Sequence, residues 1–360
     1  MAEAGLSYAL PSTNLSHSPN TGVLMRGSFS HDSMLISRTP VRVSFCGGGT
    51  DVDEFATSHP EGGRVASMAL DRYVYVTINP RFDDMIRVSY SEMEFAENLD
   101  GIQHDLVREA MKLTGINSGV EITTIADIPG RGTGLGSSSS VTVGLLNAMH
   151  SFAGRPPSKK QLAEEACKIE IETLGAPIGR QDQYAAAFGG INSISFNSEG
   201  TSVEPLSISQ ETVQRMKREF SLVFTGKTRS ASAVLSEPPT SLSDREERLS
   251  IIRNQADVAI NLLESGKLDK LGDLLNDAWT TKRGVSPSVT NAAIDDLYNR
   301  VMDLGANGAK LLGAGSGGFL LVHGEKDLRA KMSMELSNEH RIIPLGADME
   351  GSVIIHGQAQ

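Results

Sequence analysis

The sequence predicts an α+β fold in two domains. Stretches of strand character and stretches of helical periodicity follow one another without the strict alternation of a doubly wound sheet. A polar stretch, Asn197 to Gln210, carries Gly200 and Pro205 and breaks the pattern. It marks the expected boundary between domains at 34–205 and 206–360. A chain of 360 residues, 39% of them hydrophobic, suffices for two such cores.

Residues 1–33 are rich in Ser, Asn and Pro and lack periodicity. They are expected to be a disordered extension, or sequence upstream of a start near Met34. From there, Leu35 to Phe45, Val65 to Ile78, Ile86 to Tyr90 and Glu121 to Ile128 read as strands. Helices are expected at Leu106 to Leu113, Val141 to Phe152 and Lys159 to Leu174. Val141, Leu145, Ala148 and Met149 share a face in the second of these, and Leu162, Ala166, Ile169 and Thr173 form a stripe in the third. Ser243, Asp244, Arg245 and Glu246 spell a capping box that opens a helix to about Leu263. Further helices are expected at Leu268 to Thr281 and Asn291 to Leu304. Strands follow at Ala309 to Leu312, Phe319 to Val322 and Val353 to His356.

A formal net charge of −11 argues against nucleic acid as a partner. No apolar run reaches membrane length, and Cys46 and Cys167 are too few for a disulfide framework or a metal-type spacing. A reducing cytoplasm is the expected location. None of the eight histidines forms a pair spaced for metal binding.

Four glycine-rich or polar stretches carry the functional signal. PGRGTGLGSSSS, ending at Ser140, lies between an expected strand and an expected helix, where a flexible linker has no place. Free amides at a helix start and close-approaching glycines suit a phosphate. It is no Walker loop, because no lysine follows the glycines. Gly226-Lys227-Thr228 is a decoy, since position 221 is Ser. Nor is it a dinucleotide fingerprint, because Gly132, Gly134 and Gly136 alternate. RTPVRVSFCGGGTDVDEF places Arg42 on a strand ahead of three glycines, Thr50 and Asp51. Its plain reading is a hairpin with solvated charges; the functional one puts Asp51 on sugar hydroxyls and Arg42 in a charged centre. AKLLGAGSGGFLLV is a glycine-rich turn between apolar strands. EIETLGAPIGRQDQYAAAFGG sets Asp182 between Gln181 and Gln183.

In their order along the chain these stretches resemble the motifs of the GHMP superfamily of sugar and small-metabolite kinases, and the resemblance runs from about Met34 to the C-terminus. Thr39 through Asp51 is similar to the galactokinase signature. PGRGTGLGSSSS resembles the phosphate loop P-x-x-x-G-L-G-S-S-A, with Ser139 in place of Ala and Arg131 as an added residue. LLGAGSGGF resembles the third motif, with Ser316 where glycine is frequent. Within the superfamily the likeness is closer to the heptose 7-phosphate kinases, through CGGGTDVDEF, LDRYVYVTINPRFDDMIRVSYS and IEIETLGAPIGRQDQYAAAFGG. Cys46 stands there in place of alanine. Fucokinase-type enzymes share the first motif.

The resemblance implies an N-terminal domain like a ribosomal-protein βαβ unit with a left-handed crossover, and a ferredoxin-like C-terminal domain. It implies transfer from ATP to the anomeric hydroxyl of D-glycero-D-manno-heptose 7-phosphate, for nucleotide-activated heptose and surface polysaccharide. A fucokinase- or galactokinase-like enzyme is the alternative, and a non-catalytic sugar sensor the reading from another class. Asp182 would be the base and Arg42 its partner. Gly132, Gly134, Leu135, Gly136, Ser137, Ser138 and Ser139 would hold ATP. Ser138 and Glu170 would bind Mg2+, with Glu172 as the alternative. Gly48, Gly49, Thr50, Asp51 and Gly315 would bind sugar. Arg72, Arg180, Lys227 and Arg229 are the cations weighed for its phosphate. A homodimer is left open.

Overall fold

The computed structural model describes residues 33–130, 132–228 and 242–357. The extension expected over 1–33 lies, but for Ser33, outside the described residues, as do Arg131 and Arg229. β1 (Leu35–Cys46) and β2 (Gly63–Pro80), joined through α1 (Asp53–Ser58), form the antiparallel centre of an eight-stranded sheet. β3 (Ile86–Ser89) and β4 (Met93–Ala96) make a hairpin, after which α2 (Asp105–Thr114) carries the chain to β5 (Val120–Ala126). β5 pairs with β2 on one side and runs parallel to β3 on the other. α3 (Ser137–Phe152), α4 (Lys159–Cys167) and α5 (Gln181–Phe188) follow, then β6 (Ile191–Asn197) and β7 (Gly200–Pro205), which extend the sheet from the other end of β2.

The second half builds a four-stranded sheet. Its elements are α6 (Gln210–Glu219), β8 (Phe220–Phe224), α7 (Leu242–Glu264), α8 (Leu268–Arg283), α9 (Ala292–Asp303), β9 (Ala306–Leu311), β10 (Phe319–Gly324), α10 (Leu328–Leu336) and β11 (Ile342–Pro344), in strand order β11-β8-β10-β9. β12 (Val353–His356) then returns to pair antiparallel with β1. The domain expected over 206–360 therefore cedes its last strand to the first sheet.

Period-two patterning explains how the smaller sheet is covered on both faces. Along β10, Leu320 and Val322 join Trp279, Leu297 and Met332 in one core, while Leu321 joins the main core with Phe220 and Leu222 of β8. α3 is buried along nearly its whole length, which makes it the central helix of the larger layer. Ends follow ordinary capping chemistry: Ser158, Ser209 and Asn291 accept first-turn amides of α4, α6 and α9, and Gly115 closes α2 in the left-handed region.

Three boundaries differ instructively from expectation. α3 starts at Ser137 rather than near Val141, because the serines themselves supply its first turn. α7 starts at Leu242, so Ser243 falls inside the first turn rather than ahead of it. The expected helix Lys159 to Leu174 ends as a π-helical turn over Lys168–Thr173, which buries both Ile169 and Glu170. Such turns widen the helix by one residue and recur at functional sites.

The returning end is tied down by a buried polar cluster. Ser352 Oγ meets Thr39 Oγ1 at 2.8 Å and accepts from Asn147 Nδ2 at 2.9 Å, linking β1, α3 and the approach to β12. Ser352→Ala leaves both partners buried without this oxygen and is expected to cost about 1–3 kcal/mol of unfolding free energy. Urea denaturation measures it; an unchanged midpoint would show that the cluster does not hold the C-terminal strand.

Candidate active site

The site begins with an irregularity in β1. Its register against β2 shifts between Pro40 and Arg42, where proline offers no amide to the ladder. Arg42's amide instead donates to the Leu135 carbonyl at 2.9 Å. Its buried guanidinium bridges two loops: Nε donates to Asp182 Oδ1 at 2.7 Å and Nη1 to the Gly134 carbonyl at 2.6 Å. Asp182 stands in the first turn of α5, at the positive end of its dipole.

The serine loop wraps the start of α3. Gly136 precedes that helix in the left-handed region, and no side chain caps it. The leading amides are thus open to an anion. Thr133 and Ser137 hydroxyls pair at 2.9 Å and stiffen the loop. The third motif presses on it backbone to backbone. A Cβ on Gly134 would lie 2.5 Å from the Leu312 carbonyl, and one on Gly313 would lie 2.3 Å from the Gly134 Cα. Only glycine permits this approach.

Glu170, carried inward by the π turn, accepts from Ser138 Oγ at 3.3 Å and Gln183 Nε2 at 2.7 Å. Burial pushes its carboxyl up to about 7; hydrogen bonds from Gln183, Ser139 and Ser138 oppose the rise and Asp182's charge adds to it. Glu172 is exposed, so it is Glu170 that faces Ser138. A buried carboxylate beside a hydroxyl, costly to ionise alone, is a donor set that fits a hard divalent cation. The uncapped α3 start fits the phosphates of ATP.

Asp51 accepts from Gly49 N at 2.9 Å, Gln181 N at 3.1 Å and Gln181 Nε2 at 2.9 Å. It therefore anchors the start of α5 as well as facing the site. Burial raises its pKa, and Asp182's charge adds to that.

These groups line one cavity of about 880 Å³. Gly48, Gly49, Asp51, Gly132, Gly134, Gly136, Ser137, Ser138, Ser139, Glu170, Asp182, Arg42 and Gly315 all reach it. Other expected residues stand apart. Leu135 is core, and Thr50 is buried with its hydroxyl on the Gly47 carbonyl. Arg180 pairs with Asp53 at 2.8 Å and Arg72 with Asp71 at 2.8 Å, neither lining the cavity. Lys227 is exposed and off the wall.

Two lysines that the sequence reading passed over do line it. Lys310 donates to the Ser44 carbonyl at 3.1 Å and the Phe45 carbonyl at 2.7 Å; Lys282 donates to the Leu311 carbonyl at 3.3 Å and to that of Gly313. Lys310 had a signal, being a lone charge in the apolar run before the third glycine motif. Lys282, in the last turn of α8, reads as an ordinary complement to the helix dipole.

The raised Glu170 pKa gives a prediction for metal-free protein. The folded chain holds this proton more tightly than the unfolded one, so wild-type stability falls as pH rises from about 4.5 to about 7. Glu170→Gln removes the dependence. Thermal melts in chelator should show the variant more stable at pH 8, by up to about 3 kcal/mol, with the gain shrinking toward pH 4.5. A variant less stable at pH 8 would contradict the buried-charge account.

Comparison with known proteins agrees with this geometry. The GHMP kinases N terminal domain family matches residues 104–190 and the GHMP kinases C terminal family matches 259–338. The chain is 30% identical over 299 residues to a D-glycero-alpha-D-manno-heptose 7-phosphate kinase of Campylobacter jejuni subsp. jejuni serotype O:2, spanning 79% of this chain and 87% of that one. It is 27% identical to the bifunctional fucokinase/GDP-fucose pyrophosphorylase of Arabidopsis thaliana, over 84% of this chain but 31% of that larger protein. A crystal structure of a D-glycero-D-manno-heptose 1-phosphate kinase from Bacteriodes thetaiotaomicron superposes with TM-score 0.74 at 23% identity, covering 89% of this chain and 98% of that one. With the α+β fold, the three glycine stretches and the Arg42–Asp182 pair in one cavity, the chain belongs to the GHMP kinase family and is a sugar kinase.

Proposed function

We propose that this kinase transfers the γ-phosphoryl group of ATP to the anomeric hydroxyl of D-glycero-D-manno-heptose 7-phosphate, giving the 1,7-bisphosphate. The observation that carries the choice of sugar is the 30% identity, over most of both chains, with the Campylobacter heptose 7-phosphate kinase. A fucokinase-like activity is the second reading, favoured by the match to the Arabidopsis enzyme. We assign the reaction to the cytoplasm. Among the described residues no helix is long and apolar enough to cross a membrane.

GHMP kinases use ATP, typically with Mg2+; the nucleotide supplies the phosphoryl group and the cation offsets its charge. The leading amides of α3 hold the phosphates, and Ser138 with Glu170 holds the metal. Tyr90, Leu106 and Leu174 give the cavity an apolar wall suited to the purine. Asp182 accepts the proton of the attacking hydroxyl. Arg42 aims that carboxylate, and its bond to Gly134 locks the base to the phosphate loop.

Asp182→Asn should bind ATP about as well as wild type while kcat falls at least ~100-fold, the usual cost of losing a general base. Turnover within about five-fold of wild type would remove Asp182 from the chemistry. The sugar is decided by ADP release over a panel of heptose 7-phosphate, free heptose, fucose and galactose. The highest kcat/KM is expected for heptose 7-phosphate; a preference for fucose or galactose would leave a GHMP sugar kinase of different specificity.

A further inference from the structure

Two ammonium groups lie in the wall of the catalytic cavity without an acidic partner among the described residues. Lys310 is 5% exposed and spends its donors on the Ser44 and Phe45 carbonyls. Lys282, half-buried, caps the Leu311 and Gly313 carbonyls, the first of them the residue next to Lys310. Among the described residues neither forms an ion pair with a carboxylate. Carbonyl dipoles do not neutralise a buried cation, and two such cations repel. Burial pulls the Lys282 ammonium down to about 7, with Lys310 and then Arg42 adding to the fall. Lys310 is lowered too, first by burial; the Cys46 thiol opposes this and Arg42 adds to it. An anion bound beside the two lysines would offset the cost of burying them and draw both ammonium groups back toward their ordinary range.

Its position says which anion. Arg42 marks the reacting end, since it holds both Asp182 and the phosphate loop. Ser44 and Phe45 lie two and three residues further along β1, about 7–10 Å at the rise of an extended strand. That separation is of the order of a sugar with its exocyclic chain. ATP's phosphates have a site of their own at the uncapped α3 start. Of the cations weighed from sequence, the three described ones do not reach this place: Arg72 and Arg180 are paired with aspartates and do not line the cavity, and Lys227 is exposed.

We infer that Lys310, with Lys282 beside it, forms a subsite for a phosphate dianion at the end of the acceptor remote from the reacting hydroxyl. The inference rests on the sugar-kinase reading and deepens it: the substrate class is a sugar already phosphorylated. A remote phosphate adds binding energy that positions the reacting oxygen. It also supplies the counter-charge that the two lysines lack.

The test uses full-length wild type, Lys310→Met and Lys282→Met. Methionine keeps the length and removes the charge. Steady-state kinetics are run on heptose 7-phosphate and on free heptose, with ATP varied in parallel. Wild type is expected to favour the phosphorylated sugar, and each variant to shrink that preference about 10- to 100-fold, mainly through KM for the sugar phosphate. A second readout is thermal melting without nucleotide. Heptose 7-phosphate should raise the wild-type Tm, the variants should lose that rise, and Lys310→Met alone should melt no lower than unliganded wild type, because a buried unpaired charge is gone. Equal losses on both sugars with a matching rise in KM for ATP would show that the lysines serve ATP and overturn the subsite. Retention of the full preference in both variants would overturn it while leaving the heptose phosphate reading intact. A wild type that favours unphosphorylated sugars would sink that reading, and the subsite with it.

Discussion

The buried guanidinium of Arg42 is the contact on which the arrangement of the cavity hangs. It touches the phosphate loop through Gly134, the base through Asp182 and the same loop again through its own amide to Leu135. Two parts of the chain far apart in sequence, the glycine–serine loop and the start of α5, are thus fixed to one planar guanidinium on β1. The neighbouring acids gain definition from it as well. Burial first, and then Asp182's charge among other causes, raises both Glu170 and Asp51, so these carboxyls share one electrostatic neighbourhood. Removing one member of a pair this far withdrawn from solvent costs unfolding free energy, which makes Arg42 a stability residue whatever its part in the chemistry.

The second constraint is closeness. The loop before α3 and the turn before β10 meet at Gly134 and Gly313 with no room for a side chain. A similar squeeze holds Gly179 against Asp51, where a Cβ would lie 2.0 Å from the carboxylate. Glycine serves here less as a flexible residue than as a thin one. The site is assembled by pressing backbones from both sheets together, and the charged side chains then reach across the seam.

Much of this was legible in the sequence because it was periodic or compositional. The long strands, helices α2, α3, α4, α7, α8 and α9 and the glycine stretches announced themselves, whereas α5, α6 and α10 did not; Arg42, Ser138, Glu170 and Asp182 meet in one cavity. What stayed hidden depended on neighbours. β7 is short and polar, and it is a strand only because β6 is there to pair with it. The widened turn that swings Glu170 inward has no pattern of its own, so spacing alone left Glu172 open. Lys282 looked like a solvated helix end until the fold closed over it. His323 was ordinary by linear spacing, yet the fold buries it with Nε2 3.7 Å from Glu219 and 4.0 Å from Asp269.

The return of Val353–His356 to the edge of β1 has a consequence for biosynthesis. A nascent chain that has emerged past Pro205 carries Arg42, Asp182 and the phosphate loop, but its first sheet still lacks the strand that covers β1. That edge is satisfied by residues synthesised some three hundred positions later. Long-range closure of this kind is slow and keeps an unpaired strand exposed while translation proceeds. The larger sheet is therefore completed by a strand from the far end of the chain. A ribosome that stops before that strand leaves a product with the chemistry written in its sequence and an open edge in its sheet.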